Sequence, residues 1–145
     1  MQFNPINLLG FIIVAIMLIP NIIYGIKFKD VENKCTNRAM NIIEQVGRYG
    51  SMALMVLPLF VWKFGFSSVF MMLVYVFGNG ILLLMYLIIW VFYFKKQTMK
   101  KAMALAIIPT CIFLLSGLTL YHWILVAAAV IFGIGHIYVT YQNNK

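Results

Sequence analysis

The segment VFMMLVYVFGNGILLLMYLIIWVFYFKK, residues 69–96, decides the fold of this chain. No charged side chain occurs from Val69 to Phe94, and two lysines follow directly. The hydrocarbon core of a bilayer is about 30 Å thick, and about 20 apolar residues in a helix cross it. The segment therefore predicts a transmembrane helix over residues 69–94.

The sequence Gly78-Asn79-Gly80 in the middle of this segment leaves two interpretations open. The segment is either one long tilted helix or an interrupted helix of the kind that lines transporter sites.

Four further apolar stretches flank this segment, at residues 6–26, 44–62, 102–120 and 121–141. The chain is 64% hydrophobic and 10% charged, whereas soluble domains are about 25% charged. Water could not solvate so apolar a chain, and no stretch remains that could form a separate soluble domain. We therefore expect one all-α domain over residues 1–145, a polytopic membrane protein built as a bundle of five transmembrane helices.

The basic residues indicate how this bundle is oriented. If the connections alternate between the two membrane faces, only Lys63 lies on one face. The other ten of the 11 basic residues lie on the opposite face: Lys27, Lys29, Lys34, Arg38, Arg48, Lys95, Lys96, Lys100, Lys101 and Lys145. The positive-inside rule then predicts a cell-membrane protein with its N-terminus outside and its C-terminus in the cytoplasm, and with cytoplasmic basic loops at residues 27–43 and 95–101.

The net charge of +8 has the same explanation. Basic residues that flank apolar segments hold the cytoplasmic ends of the helices against anionic headgroups. The expected partner is therefore the lipid bilayer, and no motif in the loops indicates a nucleic-acid partner.

Several local signals concern prolines and helix ends. Pro20 predicts a kink in the first span, where the Asn21 side chain could bond the carbonyl that the proline frees. Thr110 is expected to bond back to the preceding turn beside Pro109. The polar stretch after the first span is expected to merge into a helix near Asn37.

Aromatic residues near the segment ends predict interfacial belts. Trp90 and Tyr93 are expected to form the inner belt, with Trp62 and Phe66 at the outer interface. His122 is expected to lie at the outer surface in contact with water.

Polar side chains within lipid are costly and are candidate functional residues. Glu44 and Arg48 are spaced i,i+4, so they share a helix face and can pair. Asn21 and His136 are expected at a similar depth in the inner half of the membrane, and Asn79 deeper. These five residues predict a ligand-binding polar pocket that opens to the cytoplasm.

A purely structural interpretation of the same residues remains open. Glu44 and Arg48 can form an interfacial ion pair whose guanidinium reaches the headgroups. Asn21 can cap the kink, His136 can bond a neighbouring helix, and Asn79 can make one interhelical hydrogen bond.

No catalytic, cofactor or metal site is predicted. The only acidic residues are Asp30, Glu32 and Glu44, and the first two lie in a loop. The sequence contains no HExxH, no GxSxG and no glycine-rich phosphate loop. The two histidines are expected at opposite membrane faces, so they cannot share a metal ion. These observations do not favour an enzyme.

Four segments carry a resemblance to a group of known proteins: IPNIIY (19–24), EQVGRYG (44–50), NGILLLMYLIIW (79–90) and IIPTCIFLLSG (107–117). Together they resemble small uncharacterised multi-pass bacterial membrane proteins. The resemblance implies a bacterial protein with a five-helix fold, and it implies no activity or site.

Three functional hypotheses follow, of which a lipid-modifying enzyme is the least favoured because the sequence lacks a catalytic constellation. The leading one is a membrane protein that handles a small molecule or ion, a carrier that would work as a homodimer because one small bundle has little interior volume. The alternative is a non-catalytic subunit or regulator that docks on a larger membrane complex. Its docking seams would be the small-residue faces at Gly47 and Gly50 and at Gly133 and Gly135.

Overall fold

The structure, a computed structural model, describes residues 8–27, 36–57, 68–120 and 122–144. Within these ranges the chain forms five α-helices, which confirms the all-α prediction: α1 (Leu8–Lys27), α2 (Arg38–Val56), α3 (Val69–Lys95), α4 (Met99–Thr119) and α5 (Trp123–Asn144). Four of them, α1, α3, α4 and α5, are long and apolar enough to cross a membrane. This supports the prediction of a membrane protein.

Helix α2 is the exception because it carries more polar residues. It begins at Arg38 rather than at the expected Glu44, since Asn37 caps its N-terminus. The Asn37 side-chain oxygen accepts a hydrogen bond from the Met40 nitrogen at 3.2 Å, the usual role of an N-cap asparagine. The prediction that a helix starts near Asn37 is confirmed. The helix ends at Val56, and residues 58–62 of the predicted second span lie outside the described ranges.

Helix α3 is continuous through Gly78-Asn79-Gly80. Ser68 caps its start by accepting a hydrogen bond from the Met71 nitrogen at 3.2 Å. Of the two interpretations of this segment, the single long helix is the one that forms.

The five helices pack as a ring in the order α1, α2, α5, α4, α3, with α3 returning to α1. Gly47 and Glu44 of α2 contact Phe132 and Gly135 of α5, respectively, so these two helices run antiparallel. Helices α1 and α3 run parallel. Contacts join Asn21 to Tyr86, Tyr24 to Trp90 and Lys27 to Phe94, so the residue numbers increase together along both helices.

These directions bring many basic residues to one end of the bundle, which we call the basic end. The ends of α1 and α3 and the starts of α2 and α4 lie there, with Lys27, Arg38, Lys95, Lys96, Lys100 and Lys101. The Lys101 ammonium also donates to the carbonyls of Phe92 and Lys96 at 3.3 and 3.0 Å. It thereby satisfies acceptors that the C-terminus of α3 leaves unpaired.

The two faces of α2 show how the bundle distributes polarity. Glu44 and Ser51 face the interior and are buried, whereas Ile42, Val46 and Tyr49 are exposed. A helix on the surface of a water-soluble protein has the opposite arrangement. The burial of these two polar side chains and the exposure of the apolar ones suit a helix surrounded by lipid.

Two predictions about aromatic and histidine residues are wrong. Trp90 and Tyr93 are each only 6% exposed, because Tyr24 of the parallel α1 packs over them with ring centroids 5.5 and 5.9 Å away. They form part of the interior and not an inner belt. His122 is fully buried, because it lies in the tight α4–α5 turn. Its backbone nitrogen donates a hydrogen bond to the Gly117 carbonyl at 2.8 Å in that turn.

The prediction that Thr110 bonds back to the preceding turn is confirmed. Its hydroxyl donates to the Ala106 carbonyl, one turn earlier in α4, at 3.1 Å. Its methyl group packs against Gly133 of α5. The predicted interfacial residues Trp62 and Phe66 lie outside the described ranges.

We expect Gly47→Ala to destabilise the bundle and Gly50→Ala to be tolerated. A Cβ at Gly47 would lie 2.5 Å from the Phe132 backbone nitrogen, so α2 and α5 would have to separate, whereas a Cβ at Gly50 would meet nothing within 4 Å. Forced overpacking of this kind costs about 1–3 kcal/mol. The free energy of unfolding in detergent, measured for both variants, checks this. Equal stabilities would contradict the close α2–α5 contact.

Candidate functional site

The side chain of Glu44 lies inside the bundle and is the centre of the candidate site. The residue is only 5% exposed. Gly135 of α5 makes this burial possible, because a Cβ there would lie 2.6 Å from the Glu44 nitrogen. The two backbones therefore touch at this level, and the carboxylate is held against α5.

Arg48 provides the first counter-ion of this carboxylate. Its Nη2 donates to Oε1 of Glu44, one turn earlier on the same helix. This confirms the predicted i,i+4 pair. The Glu44 side chain is 7% exposed and the Arg48 side chain 37%, so the arginine links a buried carboxylate to the surface of the bundle.

His136 provides the second partner, from a different helix. Its Nδ1 lies 3.2 Å from the same Oε1, and its ring stacks on Phe132 at a centroid distance of 4.7 Å. The stacking fixes the imidazole plane, and the contact joins α5 to α2 through polar atoms. His136 was predicted at the depth of Glu44, and in the structure the two side chains are in contact.

The Asn21 side chain of α1 makes two hydrogen bonds, one within α1 and one to α3. Its Nδ2 donates to the Met17 carbonyl at 2.7 Å and to the Tyr86 hydroxyl at 2.8 Å. The carbonyl that Pro20 frees belongs to Ile16, four residues earlier, so the expected bond to that carbonyl is wrong by one residue. The second bond connects α1 to the interior face of α3.

The Asn21–Tyr86 contact and the contacts of Glu44 lie at a similar distance from the basic end. Asn21 lies six residues before the end of α1 and Glu44 six residues after the start of α2, about 9 Å along each helix. We call this set the inner polar layer: Asn21, Glu44, Arg48, Tyr86 and His136. Four of its members were predicted to converge. Tyr86 was missed because α3 is apolar on every side, so its sequence does not reveal which face points inward.

Asn79 does not belong to this layer. Its Nδ2 donates to the Ser116 hydroxyl at 3.1 Å, and that hydroxyl donates to the Ile112 carbonyl at 2.8 Å. Asn79 precedes Tyr86 by two helical turns, which places it roughly 10 Å further from the basic end. The structure gives it the interhelical hydrogen bond of the structural interpretation and does not connect it to Glu44.

The glycines proposed as docking seams are largely used within the chain. Gly47 and Gly135 form the α2–α5 contact, and Gly133 packs on Thr110. Of the four seam positions, only Gly50 meets open space. A partner protein therefore cannot use the other three without displacing a helix of this bundle.

The chemistry of the inner polar layer rests on three groups with different charges. The guanidinium is permanently positive, and histidine is a residue type that commonly donates or accepts protons in proteins. The layer therefore combines a carboxylate, a fixed positive charge and a histidine, groups that can bind a polar ligand and exchange a proton with it. In the described part of the chain, no group of three or more His, Cys, Asp or Glu residues could hold a metal ion.

No protein-family model matches the chain, and no curated protein or solved structure matches it either. The geometry of the layer is therefore the basis on which we propose a function.

We expect Arg48→Met to destabilise the protein and a second change, Glu44→Gln, to restore most of the loss. The single variant leaves a buried carboxylate without its permanent counter-ion, whereas the double variant carries no charge to compensate. The loss should lie between about 1 kcal/mol, typical of exposed ion pairs, and about 3 kcal/mol, typical of buried ones. Unfolding free energies of the two single variants and the double variant measure the coupling. Strictly additive effects would mean that the pair does not stabilise the fold.

Proposed function

We propose that this chain is a five-span protein of the cell membrane whose inner polar layer binds a small molecule or ion that comes from the cytoplasm. The observation that carries the proposal is the buried Glu44 carboxylate, which contacts Arg48 on its own helix and His136 on another. The N-terminus lies outside in this proposal, and α2 is the second span.

A purely structural role explains this arrangement poorly. Buried ion pairs contribute little stability, because the cost of taking both charges out of water offsets their attraction, and apolar replacements are often equally stable. A chain that is 64% hydrophobic could fill the same space with leucine or valine. Ionisable residues inside membrane helices are rare and mark substrate or ion pathways.

Two side chains of the layer are partly exposed. The side chains of Arg48 and His136 are 37% and 22% exposed, whereas that of Glu44 is 7% exposed. A ligand can therefore meet the arginine and the imidazole first and the carboxylate last. The basic end lies closest to these groups, and the positive-inside rule favours a cytoplasmic position for that end.

The alternative, a subunit that docks on a larger complex, is less well supported. It relied on glycine faces, and three of those four glycines pack within the chain. A homodimer remains compatible with the proposal, because Gly50 and Gly80 leave open space on the outer faces of α2 and α3.

Native mass spectrometry of protein released from mild detergent tests the ligand site. We expect a bound small molecule whose occupancy changes several-fold in Glu44→Gln. The matched control is Glu32→Gln, the same chemical change in the α1–α2 connection, which should leave occupancy unchanged. A protein without ligand, or one whose ligand is indifferent to Glu44, would contradict the proposal. The same spectra report whether the protein is a homodimer or carries a protein partner.

Cysteine labelling tests the five-span topology. We expect a membrane-impermeant maleimide to label Ser67→Cys on intact cells, in a background in which Cys35 and Cys111 are replaced. In a second variant, which keeps native Cys35 and in which only Cys111 is replaced, Cys35 in the α1–α2 connection should react only after the membrane is opened. If α2 does not cross the membrane, both positions lie on one side and react together, and the chain would have four spans.

A further inference from the structure

We propose that the ligand of the inner polar layer is a small organic oxyanion, such as a carboxylate, sulfonate or phosphate ester, and that each anion binds together with one proton. This inference rests on the proposed function and specifies its ligand class and its coupling. It depends on Arg48, on the charge around the layer, and on the proximity of His136 to Glu44.

Arg48 is suited to hold an anion. A guanidinium carries five N–H donors in a planar fork that matches two oxygens of a carboxylate, sulfonate or phosphate. Only Nη2 contacts Glu44, so further donors are available to a ligand. The 37% exposure of the side chain lets a ligand reach them from outside the bundle.

The charge around the layer favours an anion over a cation. Of the three acidic residues in the sequence, Glu44 is the one in the described ranges, and two basic groups already contact it. The nearest end of the bundle carries at least six further basic residues: Lys27, Arg38, Lys95, Lys96, Lys100 and Lys101. A surface of this sign raises the local concentration of anions and repels cations.

Anion binding creates a charge imbalance that one proton corrects. With neutral His136, the charges of Glu44 and Arg48 cancel. An anion that takes the guanidinium brings a second negative charge beside the buried Glu44 carboxylate, which is unfavourable without compensation. His136 lies 3.2 Å from Glu44, so a proton from cytoplasmic water can convert it to imidazolium there. The occupied site then holds two negative and two positive charges.

Two charged groups face His136 from α2: Glu44, which contacts it, and Arg48, which binds the same Oε1. Helix α4 also packs on α5. Gly133 contacts Thr110 there, and the next turn of α4 toward the basic end, residues 105–108, is apolar. Tyr86 of α3 is a phenol, which is neutral at pH 7.

Isothermal titration calorimetry of the protein in lipid nanodiscs tests the inference. The probe is sodium methanesulfonate, which stays ionised at every relevant pH, so any proton must bind to the protein. Titrations at pH 7 in two buffers with different ionisation heats count the protons. We expect about one proton taken up per anion. Dimethyl sulfone, of similar size but uncharged, should not bind.

Variants assign the roles of the three residues. Glu44→Gln frees Arg48 from its competitor and removes the need for compensation. It should bind methanesulfonate up to about fivefold tighter, as the loss of a competing, partly exposed ion pair predicts, and without proton uptake. His136→Gln should bind more weakly and without uptake by an imidazole. Arg48→Gln should not bind the anion. The double variant Glu44→Gln/Arg48→Gln has no unpaired charge, and it should likewise not bind.

The outcomes separate this inference from the proposed function. Methanesulfonate that binds without proton uptake, or that binds more weakly to Glu44→Gln, overturns the coupling. If methanesulfonate does not bind, but a cationic or neutral molecule responds to Glu44 in native mass spectrometry, the anion class is wrong and the proposed function stands. If no ligand of any charge responds to Glu44, both fail.

Discussion

The close approach of α2 and α5 is the constraint on which the site depends. Lipid is as apolar as leucine, so helices in a membrane associate through tight packing and hydrogen bonds and not through hydrophobic burial. Gly47 and Gly135 supply that packing, because neither has a side chain to separate the backbones. The contact places the Glu44 backbone directly against α5, and His136 follows Gly135 in the sequence. A carboxylate that would otherwise face lipid is thereby given a second polar partner.

The same contact explains why α2 can be the least apolar helix of the bundle. Its charged residue pair would be costly at the centre of a membrane helix, about 2.5–3.5 kcal/mol for a single charge on insertion scales. Here Glu44 faces inward, and Arg48 extends toward the basic end with part of its side chain exposed. Exposed apolar residues such as Val46 cover the outer face. The helix therefore keeps the Glu44 carboxylate away from the lipid by orientation, although its composition is polar.

Much of this architecture could be predicted from the sequence, because it follows from composition and spacing. The i,i+4 pair of Glu44 and Arg48 needs only helix geometry, and the depth of His136 follows from alternating spans. Rotation of an apolar helix about its own axis could not be predicted. Since α3 is apolar on all sides, its sequence does not show that Trp90 and Tyr86 point inward, and a tyrosine or tryptophan near a helix end looks the same in a belt as in a core. His122 was misplaced because burial in a tight turn depends on packing.

The inner polar layer and the basic end differ in the range of their electrostatic effects. Within the layer the charges of Glu44 and Arg48 cancel, so the empty site holds no net charge while His136 is neutral. The lysines and arginines of the basic end are not cancelled by any described carboxylate, and their field extends about 8–10 Å at physiological salt. A field of this kind concentrates anions at the end of the bundle without fixing their geometry. In the proposed function, selection among those anions occurs at Arg48, where a ligand has to replace the Glu44 carboxylate. Because the charges of Glu44 and Arg48 cancel, such a site would discriminate by the geometry of the contact that the ligand makes with the guanidinium and not by charge alone.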